Sequence, residues 1–226
     1  MPSFLIKQCL PQLLPVLTRI VNLSLATETM PPEFKKAVIR PLLKKKPSLK
    51  REVKHYRPVS NLPYVSKLIK RVVCAQVTTH MEQNVLNEPL QSAYRAFHSP
   101  GTASIKVFDS VLSHMDDGNA VFLTLLDLSA ASDTVDHRIL LRRLRETVKI
   151  DGAALRWFEL YLDKRSVSVC VDGQYSQEVT VDCAVAQGSI LGPQEYSSYT
   201  IPLGSLIRML ALLFHFFADD SQLWKQ

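Results

Sequence analysis

Two short apolar runs that end in aspartate constrain the fold of this chain more than any other feature. Residues 121–126 lead into Asp127, and residues 214–218 lead into the adjacent pair Asp219 and Asp220. Apolar runs of this length are typical of buried strands, so we expect the three carboxylates at neighbouring strand ends. Two carboxylates about 4 Å apart repel by roughly 1 kcal/mol in water and about 4 kcal/mol at an effective dielectric of ~20. Such a sheet edge favours a bound cation.

Carboxylates gathered in this way suit hard divalent cations. Mg²⁺ takes oxygen ligands, and two such ions about 3.5–4 Å apart drive nucleotidyl transfer. The sequence therefore predicts Asp127, Asp219 and Asp220 as catalytic residues and as ligands of two Mg²⁺ ions, with Mn²⁺ as the alternative metal. An adjacent aspartate pair taken alone is more often a solvated turn, and Asp116-Asp117 has that pattern here. The other motifs of the chain decide between the two interpretations.

Positive charge is concentrated in one segment of the chain. The 226 residues carry a formal net charge of +6, but residues 35–71 hold 13 of the 27 lysines and arginines and one acid, Glu52. That segment carries +12 and the remainder −6, which predicts contact with a polyanion from one side. A solvated loop or a nuclear targeting signal explains such a run equally well when it is taken alone. The predicted nucleic-acid-binding residues are Lys44, Lys45, Lys46, Lys50, Arg51 and Lys54.

Composition excludes several classes of protein. Hydrophobic residues make up 46% of the chain and charged residues 21%, which is typical of a folded domain and not of a disordered one. The four cysteines form no C-x-x-C pair, so we expect no zinc site, and a reducing compartment, nuclear or cytoplasmic, is favoured. Lys7, Gln8 and Pro11 interrupt the N-terminal apolar stretch, and residues 209–218 are too few to span a bilayer. We therefore expect an intracellular protein without a signal peptide, a transmembrane segment or a membrane partner.

The periodicity of apolar residues predicts a mixture of helices and strands. Helices are expected over 6–25, from about 62 onward, over 102–115 and 134–149, after 151, and from about 193 to 203. Extended segments are expected over 37–43 and 121–127, in a hairpin of 167–171 with 179–183, and in the run before Asp219. The predicted helix caps are Ser60 or Asn61, Asp133 or Thr134, and Asp151.

Five motifs occur in an order that a known family shares. They are YRPVSNL at 56–62, QSAYR at 91–95, LDLSAASDTVDH at 126–137, QGSILGP at 187–193 and FADD at 217–220. Each motif is weak by itself, but the five occur in the family's order and at plausible intervals, and the resemblance extends over nearly the whole chain. The chain resembles the reverse transcriptase domain of non-LTR, LINE-type retrotransposons, especially the chicken-repeat-1-like clade.

The resemblance implies a right-hand polymerase of the α+β (mixed α/β) class. It implies fingers and a palm, with an antiparallel palm sheet covered by packed helices and with the thumb missing. The expected parts are an N-terminal helical segment over 1–36, a fingers-like part over 37–118 and a palm-like part over 119–226, truncated after the catalytic hairpin. The sequence indicates no oligomeric state.

The activity that the resemblance implies is RNA-directed DNA polymerisation. A DNA primer on an RNA template would be extended with deoxynucleoside triphosphates, while Asp127 and Asp219 hold both Mg²⁺ ions and Asp220 supports them. Arg95 is expected to form bidentate hydrogen bonds with the triphosphate. The implied nucleotide-binding residues are Arg57, Arg95, Ser132, Gln187 and Gly188.

Several positions depart from the family pattern. Ser132 stands where a bulky phenylalanine normally lies under the sugar, and it leaves a void there. Ala186 replaces a proline, residues 96–97 replace a Pro-Gly, and Glu195 falls on a helix face expected to be apolar, where an unpaired carboxylate is costly. Two alternatives to an active polymerase therefore stay open: a catalytically dead retrotransposon remnant that binds nucleic acid through its basic segment, and a poorly folded product.

Overall fold

The computed structural model describes residues 6, 8–43, 55–128, 131–186 and 188–225. Among these residues no helix is both long and apolar enough to cross a lipid bilayer. The helices are α1 (Leu10–Ala26), α2 (Pro32–Lys35), α3 (Tyr64–Gln83), α4 (Pro100–Asp116), α5 (His137–Glu146), α6 (Gly152–Leu162) and α7 (Gly192–Met209). The strands are β1 (Lys36–Leu43), β2 (Tyr56–Asn61), β3 (Phe122–Asp127), β4 (Arg165–Val171), β5 (Gln174–Tyr175), β6 (Val179–Val181), β7 (Leu213–Phe217) and β8 (Asp220–Lys225).

The strands form two sheets. In the first, β1 pairs with β2 in antiparallel and with β4 in parallel orientation, and β5 and β6 pair with β4. In the second, the antiparallel order is β3-β8-β7, and β7 and β8 form a hairpin. We call this second sheet the carboxylate sheet, because Asp127 ends β3 and Asp220 begins β8.

Local sequence signals set the starts of two helices. The Ser99 hydroxyl accepts a hydrogen bond from the Thr102 N–H at 3.1 Å, and the Thr102 hydroxyl accepts one from the Ser99 N–H at 2.9 Å, so α4 begins with a capping box. Asp151 caps α6 as predicted, with its carboxylate accepting from the Gly152 N–H at 2.8 Å.

The predicted caps of α5, Asp133 and Thr134, are wrong. The cap is Asp136, whose carboxylate accepts from the second and third backbone N–H groups of the helix. A β-bridge between Asp136 and Cys183 keeps the backbone extended up to this point, so the helix begins later than the sequence pattern indicates.

The predicted caps of α3 are also wrong. The helix begins at Tyr64, directly after Pro63, and neither Ser60 nor Asn61 caps it. Residues 56–61 stay extended because β2 pairs with β1 over its full length. The Asn61 side chain instead accepts a hydrogen bond from the Lys67 Nζ at 3.2 Å.

The predicted hairpin around Asp172 and Gly173 is confirmed. Both residues have positive φ angles, as a two-residue hairpin turn requires. β5 follows the turn directly, and β6 pairs farther along β4, where Val181 lies opposite Arg165. α7 extends to Met209, beyond its predicted end near residue 203.

The main hydrophobic core lies among α3, α5, α6 and α7. Its innermost side chains, at most 1% exposed, are Ile69, Met81, Val135, Leu140, Leu144, Val148, Tyr161 and Leu191. A second, smaller core of Ile207, Phe214 and Phe216 packs the C-terminal part of α7 against the carboxylate sheet. α7 therefore contributes to both cores and joins the sheet to the other helices.

Charged side chains are buried together between α3, α6, β4 and α7. Lys70, Arg165 and Glu195 are 1%, 4% and 2% exposed. The Lys70 Nζ and the Arg165 Cζ each lie 5.1 Å from the centre of the Tyr161 ring. Within the described residues neither carboxylate oxygen of Glu195 has a hydrogen-bond partner. Burial of the Glu195 carboxylate therefore costs desolvation free energy, and the nearby charges of Lys70 and Arg165 offset part of that free energy.

Burial changes the titration of this cluster. It raises the pKa of Glu195 against the opposing effect of the Arg165 and Lys70 charges. Burial, together with the nearby charge of Arg165, also lowers the pKa of Lys70 to about 7. Lysine in the unfolded chain titrates near 10.5, so the unfolded state binds more protons between these two values. The free energy of unfolding should therefore rise with pH across that window.

We expect Lys70→Met to flatten this rise. The variant has no side chain at position 70 that loses a proton on folding, so its free energy of unfolding should change little where Lys70 titrates. Urea unfolding at a series of pH values measures the slope. Lys225→Met, at an exposed position of β8, is the control and should keep the wild-type slope, because the charge of Lys225 does not act on Lys70. An equally steep rise in Lys70→Met would contradict this account.

Glu88 and Arg208 join the loop after α3 to the end of α7. Arg208 donates two hydrogen bonds to the Glu88 carboxylate, and Glu88 is only 7% exposed. Gly204 makes room for this pair, because a Cβ at that position would overlap the carboxylate and lie 3.1 Å from the Phe214 Cζ. The loop can dock this closely because residue 204 has no side chain.

Gly204→Ala should lower the free energy of unfolding by about 1–3 kcal/mol, because added atoms in a packed site force their neighbours to shift. Gly101→Ala is the matched control, since Gly101 is also helical and the nearest atom to its new Cβ would be the Ser99 Oγ at 3.6 Å. For the control we expect no loss and a gain of up to about 1 kcal/mol from helix propensity. Urea unfolding compares the two, and equal effects would refute the packing argument.

Candidate active site

Asp127, Asp219 and Asp220 lie together at one end of the carboxylate sheet. The register of β3 and β8 places Asp127 directly opposite Asp220, so these two side chains share one face. Asp219 lies in the two-residue turn between β7 and β8. Burial raises the pKa of Asp220, and the charges of Asp219 and Asp127 raise it further. The repulsion that the sequence predicts is therefore present in the fold.

The chemistry of these carboxylates suits a divalent cation. Carboxylate oxygens are ligands that Mg²⁺ and Mn²⁺ prefer, and a cation would relieve the repulsion that raises the pKa of Asp220. In the part of the chain that the structure describes, no three histidine, cysteine, aspartate or glutamate side chains are already close enough to hold one ion. The catalytic and metal-binding roles of the three aspartates stay predictions.

The side chain of Gln91 holds the turn that carries Asp219. Its Oε1 accepts from the Ala218 N–H at 3.0 Å, and its Nε2 donates to the Ala218 carbonyl at 3.2 Å. Oε1 also accepts from the Ala93 N–H at 3.0 Å. Ala218 has a φ angle of +57°, a left-handed conformation that costs a non-glycine residue roughly 1–2 kcal/mol. The amide of Gln91 therefore stabilises a backbone conformation that is unfavourable by itself.

The backbone around Gln91 also pairs with β7. The Phe216 N–H donates to the Leu90 carbonyl at 2.8 Å, and the Ser92 N–H donates to the Phe216 carbonyl at 2.9 Å. The Ser92 hydroxyl lies 2.8 Å from the Nε2 of the buried His215. This segment extends the carboxylate sheet beyond β7 and fixes Gln91 beside the turn.

Sequence reasoning includes Gln91 in a motif but assigns it no role. A glutamine amide can pair with both the N–H and the C=O of one residue, and a glutamine that is 7% exposed has to find such partners. The partner is 127 residues away, so the pattern around Gln91 contains no signal for it.

A cleft of about 390 Å³ opens beside Asp219, and we call it the Asp219 cleft. Three of the predicted residues line it, namely Ser132, Gly188 and Asp219. The turn before α7 and the side chains of Tyr94 and Tyr196 form much of the remaining wall. The fold therefore brings a predicted metal ligand, the predicted sugar position and the glycine-bearing turn to one space.

Gly188 connects this cleft to β2. Its φ angle of +80° favours glycine, and a Cβ there would lie 3.8 Å from the Val59 Cγ1. Arg57 is exposed and lies two residues before Val59, hence on the same face of β2. Arg57 is therefore on the side of the strand that meets the turn, and its contact with nucleotide or template stays a prediction.

Arg95 contacts its own loop. Its Nη1 donates to the Gln91 carbonyl at 3.2 Å and to the Pro89 carbonyl at 3.4 Å. It lines a neighbouring cavity with Glu88 and Gln194, whereas the Asp219 cleft is lined by other residues. The predicted contact between Arg95 and a triphosphate stays a prediction.

Seven of the predicted residues lie outside the described part of the chain, so their roles stay predictions. The strands that flank most of them, β1 and β2, form an antiparallel pair. The seven are Gln187, Lys44, Lys45, Lys46, Lys50, Arg51 and Lys54.

Two tyrosines that sequence reasoning does not select meet at the Asp219 cleft. Tyr196, on α7, is 6% exposed, whereas Tyr94 is 63% exposed and has a φ angle of +62°. Burial raises the pKa of both phenols, and the charge of Asp219 raises each further, to about 12 for Tyr196. Both side chains are therefore neutral donors at physiological pH. Their position beside Asp219 arises from tertiary packing, which no local pattern indicates.

The sequence matches a known family over most of its length. The profile of the reverse transcriptase (RNA-dependent DNA polymerase) family covers residues 43–224. The chain belongs to the reverse transcriptase family. The resemblance that the five motifs indicate is thereby confirmed.

Curated relatives of this reverse transcriptase domain come from mobile elements of flies. It is 28% identical over 184 residues to the probable RNA-directed DNA polymerase from transposon X-element of Drosophila melanogaster. It is also 28% identical over 174 residues to the RNA-directed DNA polymerase from mobile element jockey of Drosophila funebris. These alignments cover 81% and 75% of this chain but 20% and 19% of the relatives, so the chain spans about a fifth of their length.

Solved telomerase structures have a similar fold. Apo telomerase from Candida tropicalis, truncated from its C-terminal domain, superposes with a TM-score of 0.57 at 12% identity over 87% of this chain and 45% of that chain. Telomerase from Candida albicans in complex with a TWJ fragment of telomeric RNA gives 0.58 at 11% identity, over 89% and 39%. The predicted α+β polymerase fold with fingers and palm is confirmed. The bounds 1–36, 37–118 and 119–226 stay predictions.

Gln91→Leu should lower the free energy of unfolding by about 1–3 kcal/mol, because it leaves the Ala218 N–H and carbonyl without their partner. Gln174→Leu, on the exposed strand β5, is the matched control and should change it by less than about 0.5 kcal/mol. Urea unfolding at neutral pH measures both. Equal stabilities for the two variants would show that the turn does not depend on this amide.

Proposed function

We propose that this domain extends a DNA primer on an RNA template by nucleotidyl transfer. The observation that carries the proposal is the position of Asp127, Asp219 and Asp220 at one end of the carboxylate sheet, beside a cleft that Ser132 and Gly188 also line. The cleft volume of about 390 Å³ falls within the range of small-molecule sites, about 300–1,000 Å³. The names of the X-element and jockey relatives, RNA-directed DNA polymerases, support the same activity.

The three aspartates are the residues that would hold the divalent metal ions used by this family. When bound, two Mg²⁺ ions would lower the pKa of the primer 3′-hydroxyl and neutralise the charge of the triphosphate. Asp127 and Asp219 are the proposed ligands of both ions, and Asp220 supports them through its charge. Gln91 keeps the Asp219 turn in place during each cycle of nucleotide binding.

The remaining residues of the site bind and orient the nucleotide. Gly188 has no side chain, so the triphosphate can approach its backbone closely. Ser132 leaves the sugar side of the cleft open, and Arg57 supplies positive charge from β2. The guanidinium of Arg95 binds the phosphates after it breaks its hydrogen bonds to the carbonyls of Gln91 and Pro89. The template and primer bind the exposed basic side chains of segment 35–71, such as Arg40 and Arg71, through phosphate contacts, whereas Lys35 and Lys70 are buried.

Asp219→Asn should lower the rate of Mg²⁺-dependent primer extension on an RNA template by at least about 100-fold, since a metal ligand contributes several kcal/mol to the transition state. Incorporation of labelled deoxynucleotide measures the rate. Asp116→Asn, at the exposed end of α4, is the matched control and should extend like the wild type. Equal Mg²⁺-dependent extension by all three proteins would exclude the proposed role of Asp219.

The +12 segment favours a second candidate function, nucleic-acid binding without catalysis. In that case the wild type binds an RNA–DNA duplex with an affinity that falls steeply with salt, but extends no primer. Asp219→Asn then binds as the wild type does. Extension by the wild type, abolished by Asp219→Asn, decides for the polymerase.

A further inference from the structure

The hydroxyl group of Tyr196 has no partner in the described part of the chain. The residue is 6% exposed, and its oxygen is buried without a hydrogen bond. An unpaired buried donor is unfavourable, and native structures rarely keep one without a reason. A phenylalanine would fill the same space without this cost, so the oxygen itself requires an explanation.

The surroundings of this hydroxyl point to a ligand. Tyr196 lines the Asp219 cleft together with Ser132 and Gly188. The charge of Asp219 is close enough to raise the pKa of the phenol, yet the two side chains form no hydrogen bond. The hydroxyl is therefore an unpaired donor on a residue that lines the space that a nucleotide would occupy.

We propose that the Tyr196 hydroxyl donates a hydrogen bond to an oxygen of the nucleoside triphosphate bound in the Asp219 cleft. This inference rests on the proposed function, because it takes the cleft to be the nucleotide site. The acceptor is either a sugar hydroxyl or a phosphate oxygen, both of which accept hydrogen bonds. The contact makes Tyr196 a nucleotide-binding residue of α7, in addition to those that the motifs predict.

Tyr94 bounds the same cleft from the loop side. Its charge environment resembles that of Tyr196, since Asp219 raises the pKa of both phenols. Tyr94 is 63% exposed, so water can satisfy its hydroxyl, and the unpaired Tyr196 is the stronger indication of a ligand. With a serine at position 132, these two rings are the aromatic groups that limit the cleft.

Tyr196→Phe removes one oxygen atom and keeps the ring. We expect the dissociation constant for deoxythymidine triphosphate with Mg²⁺, measured by titration calorimetry on the whole chain, to rise about 5- to 10-fold, as for loss of one hydrogen bond. The urea midpoint of the free protein should stay the same or rise, because an unpaired hydroxyl is removed. Tyr199→Phe, on the same helix but packed against the main core, is the matched control and should leave binding unchanged.

Two further ligands identify the acceptor. If it is the sugar 3′-hydroxyl, the effect of Tyr196→Phe should vanish with the dideoxynucleotide; if it is a phosphate oxygen, the effect should persist with inorganic tripolyphosphate. Unchanged affinity of Tyr196→Phe for all three ligands would overturn the inference, as would failure of the wild type to bind any of them.

Binding without turnover separates the inference from the proposed function. A wild type that binds the nucleotide but extends no primer refutes the polymerase proposal, while weaker binding by Tyr196→Phe still supports the inference. A wild type that extends primers, with a Tyr196→Phe variant of identical affinity and KM, refutes the inference alone.

Discussion

The pairing of the Gln91 amide with the Ala218 backbone is the interaction on which the active-site geometry depends. The turn that it holds is unfavourable for two reasons. Ala218 adopts a left-handed conformation, and the carboxylates that follow repel each other. The pairing of β7 with β8 closes the turn, and the Gln91 amide that stabilises it comes from a loop 127 residues earlier. The position of Asp219 therefore depends on docking of that loop as well as on the hairpin.

α7 connects this turn to the rest of the molecule. It begins at the glycine-bearing turn, carries Tyr196 into the Asp219 cleft, and ends near Arg208, which binds Glu88. The Glu88 carboxylate also accepts from the Leu90 N–H at 3.1 Å, in the segment that pairs with β7. One helix thus positions the wall of the cleft and, through its other end, the loop that holds the hairpin turn. A shift of α7 would move both, so the shape of the cleft and the position of the carboxylates are mechanically linked.

The parts of the site that follow from local pattern are predictable from the sequence, and the parts that depend on distant partners are not. β7 ends where its buried apolar run stops, as the sequence predicts. The expectation of a buried strand is wrong for β3, because all six of its residues are exposed. Asp136 is not predictable as a cap, since Asp133 and Thr134 are equally suitable in type and a bridge to Cys183 excludes them. The motifs identify the family from residue types alone, but they do not contain the contact of Gln91 with the hairpin. A motif reports which residues recur, whereas their roles depend on where the fold places them.

The positions that depart from the family pattern lie away from the contacts that hold the turn. Glu195 is buried beside the charges of Lys70 on α3 and Arg165 on β4. The desolvation of its carboxylate therefore weakens the packing of α7. Phe97 is fully exposed and has a φ angle of +63°. This unfavourable backbone conformation destabilises the exposed loop, away from the Gln91 contacts. Ser132 and Ala186 are different, because both line the Asp219 cleft. Ser132 takes no part in the hydrogen bonds between Gln91 and Ala218. Under the proposed function, discrimination between sugars and the chemistry of transfer would therefore depend on separate residues.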